Sequence, residues 1–93
     1  MKLTTIKDWA ICRVLSPTGA RTGRGAHLLG TIEDSPDPSR IGQRIITHQL
    51  MDIDLQQGRV GTHYQDFYLL GDGRESWVTI DYIRTLQKDL SPP

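Results

Sequence analysis

Three histidines, one cysteine and a close pair of aspartates are the side chains in this sequence best suited to bind metals or move protons. His27, His48 and His63 are 21 and 15 residues apart. Metal motifs with predictive force draw ligands from short local pairs, and neither interval supplies one, so no metal site is expected. His48 reads instead as a hydrogen-bonding residue that satisfies backbone groups at a strand corner. Cys12 is the single cysteine and can form neither an internal disulfide nor a thiolate cluster alone. It reads as an inert buried thiol. Asp52 and Asp54 lie two residues apart on an alternating stretch and therefore share a face. Acid–base work needs such a pair in a cleft that splits the two pKa values. On a strand whose other face is the core, they read as solvent-facing charges that discourage edge pairing. No serine sits in a nucleophile elbow. The chain is expected to be non-enzymatic and to carry no cofactor.

Binding chemistry is better represented. Ser16 to Ala26, SPTGARTGRGA, combines Gly19, Gly23 and Gly25 with Arg21 and Arg24 and has no apolar period. Glycine-freed amides beside guanidinium groups can cradle an anion, although the spacing matches no phosphate-loop or dinucleotide motif. The segment is expected to be a surface loop or hairpin tip. Glu33, Asp34 and Asp37 cluster near a proline-containing loop but offer too few oxygens for a hard cation. Tyr64, Phe67, Tyr68, Trp77 and Tyr82 all fall in the C-terminal third, near Arg59 and Arg74. Only one phase of a strand over Phe67 to Leu70 can face the core. If Tyr68 and Leu70 point inward, Phe67 and Leu69 need cover from a helix or a partner. Aromatics and arginines carry much of the energy of protein interfaces, and aromatics also stack on bases. The candidate partner-binding residues are Arg21, Arg24, Arg59, Tyr64, Phe67, Arg74 and Trp77.

These residues must be placed by one small domain. Ninety-three residues bury only about 60–65 per cent of the surface that the unfolded chain exposes, so the core is small. No apolar run approaches the roughly 18 residues that cross a bilayer, and no secretory-signal layout follows Lys2 and Lys7, so cytoplasmic residence is the default expectation. Through Thr31 five basic residues oppose Asp8 alone, giving +4, and the rest carries −4. That asymmetry gives one end of the domain a basic bias. A sequence pI near 6.8 is not that of a dedicated DNA-binding protein.

Trp9 to Leu15 predicts a first strand, with Ala10, Cys12 and Val14 toward the core and Trp9 covering an end. Ala26 to Asp34 predicts a second strand pairing with it, and Gly30 marks a bulge or bend. Pro36 and Pro38 make Ser35 to Gly42 a loop. From Gly42 to Gly71 the signals predict a β-meander. Arg44 to Thr47 is its first strand. Met51, Ile53 and Leu55 alternate inward against Asp52 and Asp54, Gly58 turns the chain, Arg59 to Thr62 returns, and Phe67 to Leu70 completes it. From Trp77 the pattern becomes helical. Thr79 is a cap, Ile80, Ile83, Leu86 and Leu90 form the apolar stripe, and Lys88 lies in the last turn, a helix over about 79–90. The expected fold is mainly β with a C-terminal helix (α+β), a small antiparallel, partly open β-barrel or curled sheet of 5–6 strands.

The central stretch resembles small phage and prophage proteins with a recurring pattern. Gly42, Ile46-Thr47, Ile53-Asp54, Gly58-Arg59-Val60-Gly61-Thr62, Tyr68-Leu69-Leu70 and Gly71 carry the resemblance, which covers about a third of the chain. His48 stands where that pattern has Ser, and Tyr64-Gln65-Asp66 replaces a glycine-containing turn. The resemblance implies a phage- or mobile-element-encoded accessory protein acting in the bacterial cytoplasm. Such a protein would bind and block a host defence complex in the manner of anti-CRISPR proteins, as a monomer or homodimer. The alternative is a nucleic-acid-binding small barrel that uses the Arg21 and Arg24 loop with nearby aromatics. The neutral charge balance favours the protein partner, because neutralising phosphates takes a stronger basic patch.

Overall fold

The computed structural model describes residues 3–15, Thr18 and 25–87. The arginine-glycine loop from residue 19 to 24, Lys88, Leu90 and the side chain of Ile80 lie outside the described residues. Among the described residues, seven strands are followed by one helix: β1 (Thr4–Leu15), β2 (His27–Asp34), β3 (Arg44–Ile46), β4 (Leu50–Asp54), β5 (Arg59–Thr62), β6 (Asp66–Leu69), β7 (Arg74–Thr79) and α1 (Ile80–Gln87). A 3₁₀ turn over Pro38–Arg40 occupies the loop before β3, with Asp37 accepting from the Ser39 amide at 3.1 Å.

The organising strand is β1. One of its edges pairs antiparallel with β2 over most of its length. The other edge pairs in parallel with two successive strands, Thr4–Ile6 with β6 and Ala10–Leu15 with β7. The sheet order is β3-β2-β1-β6-β5-β4, with β7 a second neighbour of β1. A bulge divides β1 between its two parallel partners. Lys7 faces Thr31 and Ala10 faces Leu29, so Asp8 and Trp9 together oppose Gly30 alone. Asp8 adopts φ +49°, the left-handed region that Asp tolerates better than most residues. The expected irregularity at Gly30 is thus present, but the extra residue sits across from it. Gly30 is the small partner that makes room, since a Cβ there would meet Ile6 Cγ2 and would lie 3.1 Å from the Lys7 carbonyl.

The extra residue shifts the strand's alternation and buries both faces of β1. Ile6 before the bulge and Ile11 after it join Leu28, Ile32, Ile45, Leu50, Val60, Phe67 and Leu69 inside the curled sheet. Ala10 and Cys12 face the opposite side, where Leu29, Ile46, Val78 and Ile83 close a second cluster with Val14 and Leu86 at its margin. Helix α1 covers that outer face, packing on β3 and β7. Thr79 caps it by accepting from the Tyr82 amide at 3.3 Å, as expected. The helix therefore lies on a face of the sheet, not across its open end.

The mainly β fold with a C-terminal helix is as expected, and the curled sheet does not close into a barrel. Other expectations are corrected. Among the described residues the sheet has seven strands and not 5–6, and it is mixed because of the two parallel pairings. Arg44–Ile46 leaves the meander to pair with β2 on the far side of β1, so the meander is β4-β5-β6. Arg74–Thr79 is a strand that alternation did not reveal, held by its long-range pairing with β1. Leu70 to Gly73 links β6 and β7 around the Trp9 indole, whose Nε1 donates to the carbonyls of Leu70 and Gly71 at 3.1 and 3.2 Å. Any side chain at Gly73 would strike the ring of Trp9.

This arrangement predicts opposite outcomes at the two sides of the bulge. Asp8→Gly relieves the left-handed strain and offsets it with chain entropy, leaving stability within about 1 kcal/mol of the parent. Gly30→Ala forces a methyl into Ile6 and costs about 1–3 kcal/mol. Denaturant unfolding measures both, and equal stability of the two variants contradicts the bulge geometry.

Candidate functional site

The site is where the sheet's curl stops short. The β4–β5 hairpin turns over Leu55 to Gly58, with Gly58 at φ +68° and the Gln57 amide donating to Asp54 Oδ1 at 3.1 Å. Its pairing registers Ile53 against Val60, which is buried in the inner core. Ile53 therefore points to the core side, as the alternation predicted, and so does Leu55. Neither is covered: Ile53 is 44% and Leu55 55% exposed. The expectation that Met51, Ile53 and Leu55 pack in the core is corrected on this point. The curl ends before an opposing surface reaches Ile53 and Leu55. Met51, 66% exposed, sits at a further bulge, where Leu50 and Asp52 face the consecutive residues Thr62 and Gly61.

Ile53 and Leu55 form one wall of a groove of about 290 Å³ whose other residues are Trp9, Ile11 and Arg13 of β1 and Gly73, Arg74 and Glu75 at the start of β7. Arg13 Nε donates to Glu75 Oε1 at 3.0 Å along its margin. Trp77 registers against Arg13 and is half-buried. The groove is thus apolar at its centre and charged at its rim, the composition of small protein-binding surfaces.

On the other face of β4, Asp52 and Asp54 stand beside Arg59 and Asp66 in a shallow depression floored by Val60 and Gly61. Gly61 opposes Asp66 in the β5–β6 register, and the Asp66 carboxylate fills the space that a side chain would take. Arg59 Nη2 lies 3.7 Å from Asp66 Oδ2. Three carboxylates against one guanidinium leave this face acidic. A third concavity of about 400 Å³, lined by Thr4, Pro36, Thr62, His63, Tyr64 and Asp66 among others, lies at the β5–β6 loop. Thr62 builds that loop: its Oγ1 accepts from the amides of Tyr64 and Gln65, each at 3.1 Å.

The predicted partner-binding residues are dispersed. Arg74 lines the groove, and half-buried Trp77 lies further along β7, outside the lining. Arg59 belongs to the acidic face, and exposed Tyr64 to the third concavity, its ring 4.8 Å from His48 and 5.7 Å from His63. Arg21 and Arg24 lie outside the described residues. Phe67 is corrected outright. It is 1% exposed in the inner core, and Tyr68, 44% exposed, takes the outward position on β6. Both phases of that strand are apolar, and pairing with buried Val60 settles which one turns inward. Ile53 and Leu55 were missed as surface residues, because alternation reports a direction and not whether anything lies above it.

The histidines divide: His48 and His63 flank Tyr64, while His27 Nδ1 bonds the Thr47 carbonyl at 2.9 Å. Among the described residues no three of His, Cys, Asp and Glu come close enough to hold a metal. No helix among them is long and apolar enough to cross a membrane. Cys12 is fully buried, and burial pushes its pKa above the ordinary thiol range, against a smaller opposing hydrogen bond from Ser76. No family model matches the chain, and no curated protein or solved structure matches it either.

The thiol provides a test of this packing. Because its folded pKa is raised, Cys12 contributes stability that is fully present below the unfolded thiol pKa and is lost as pH rises through it toward the folded value. A disulfide reagent at neutral pH is expected to label Cys12 only at the rate of opening, and the rate should rise with denaturant and with alkaline pH. Immediate stoichiometric labelling of the native chain contradicts a buried Cys12.

Proposed function

We propose that this chain is a non-enzymatic protein-interaction module whose binding surface is the groove between the β4–β5 hairpin and the start of β7. The observation that carries the reading is the uncovered apolar pair Ile53 and Leu55, aimed at the core side of the sheet over Trp9 and Ile11. Water-exposed Ile and Leu side chains facing an apolar floor gain roughly 25 cal/mol for each Å² that a partner covers. The rim ion pair Arg13–Glu75 and the side chain of Arg74 supply polar contacts around that centre.

Charge favours a protein partner over nucleic acid. At the described concavities each arginine is accompanied by a carboxylate: Arg13 by Glu75, Arg59 by Asp66, and Arg44 and Arg74 by Asp8 and Asp72. Phosphate binding draws on cations whose charge is not already offset. The resemblance of the central stretch to phage and prophage proteins supports a bacterial cell as the setting of the partner. The action proposed there is steric blockade of a host, defence-related complex.

Ile53→Asp with Leu55→Asp tests the reading. Both side chains are exposed, so stability is expected to stay within about 0.5 kcal/mol of the parent for each change. Affinity capture from a bacterial lysate is expected to retain a defined complex with the parent at about 0.5 M salt, where surface charge is largely screened. The double variant is expected to lose at least about tenfold of that retention. Equal retention by parent and variant contradicts the groove as the binding surface.

A further inference from the structure

We infer that the open edge of β4 accepts an extended segment of the partner protein as an added strand, and that this segment alternates basic with apolar side chains. The inference rests on the interaction reading above and names the chemistry of its ligand. It begins with the topology. β4 ends the β3-β2-β1-β6-β5-β4 order and, among the described residues, β5 is its one strand partner. The Leu50 amide at its start is taken by the Ala26 carbonyl at 2.7 Å, and beyond it the outer row of backbone groups over residues 51–54 has no strand partner among the described residues and can make ladder hydrogen bonds.

The two faces of β4 specify what would pair there. Ile53, followed by Leu55, lies on the groove side, while Asp52 and Asp54 lie on the other side with Asp66 close by across Gly61. An added strand places alternate side chains on opposite faces, each beside its neighbour on β4. Apolar side chains of the incoming segment would extend the floor of the groove against Ile53 and Leu55. Basic side chains would meet Asp52 and Asp54. Among the described residues, Arg59 offsets one of the three carboxylates, through Asp66 at 3.7 Å.

The same charges argue against a second copy of this chain at that edge. Antiparallel self-pairing about Asp52 sets Asp52 against its own counterpart, and pairing about Ile53 sets Asp52 against Asp54 of the second copy. Like charges directly opposite are destabilising in a sheet. The aspartates therefore reject self-association while selecting a basic strand, which is how edge charges confer specificity.

The test uses the full chain labelled with ¹⁵N and a short synthetic peptide alternating Lys with Val and Ile. Amide shifts are expected to concentrate over residues 51–55. Binding is expected to weaken at least about tenfold for the same peptide with Glu in place of Lys, and similarly for one N-methylated at alternate amides. Asp52→Asn with Asp54→Asn is expected to weaken the Lys peptide and spare the Glu peptide. Equal binding of the methylated peptide overturns strand addition, and equal binding of the Glu peptide overturns the charge selection. Shifts over residues 74–79 in place of 51–55 overturn the assignment to β4. If no peptide binds while capture still depends on Ile53 and Leu55, this ligand is wrong and the groove reading stands. Loss of both results removes both.

Discussion

One extra residue in β1 sets the plan of this molecule. With Asp8 and Trp9 together opposite Gly30, the strand changes phase at its middle, so that Ile6 and Ile11 share the inner face although their positions differ by an odd number. Without the bulge Ile11 would turn to the helix side and Cys12 to the inside of the curl. With it, one strand supplies buried residues to two cores, the inner one under the meander and the outer one under α1. The bulge also interrupts the parallel edge, and the indole of Trp9 occupies that interruption. Its hydrogen bonds to Leu70 and Gly71 tie down the link between β6 and β7.

The groove is a consequence of the same constraint. β6 continues into the meander, which curls over the inner core, whereas β7 pairs with β1 and then leads into the helix on the other side. The hairpin tip overhangs the start of β7 with no described residue between them, and Ile53 and Leu55 face Trp9 and Ile11 across that opening. The surface proposed for binding is thus the unfilled end of a core, and the acidic face of the same hairpin guards the adjoining edge.

Local signals were legible in the sequence where local physics decides. β5 and β2 stand at or within one residue of their predicted limits, Gly58 turns the hairpin with positive φ, and Thr79 caps the helix. Non-local pairing was not legible. Arg44–Ile46 carries the same β-branched pattern whether it pairs within the meander or with β2, and only the folded sheet distinguishes the two. Over Arg74–Thr79 the sequence shows no clean alternation and its pattern turns helical from Trp77, so the strand identity of this segment comes from β1. The phase of β6 was ambiguous because Phe67 and Leu69 are no less apolar than Tyr68 and Leu70. Of the candidate site, Arg74 was legible as a cationic surface residue, but the exposed aliphatics across the groove from it read as core.

The division of β1 between two parallel partners is the claim on which the rest depends, and inter-strand nuclear Overhauser effects measure it directly. The account predicts contacts between Ile6 and Leu69 and between Val14 and Val78, on the same edge of one strand, together with contacts from the Trp9 indole to Leu70 and Gly73. A spectrum in which β6 and β7 pair with each other, or in which β1 has a single neighbour along that edge, would contradict it.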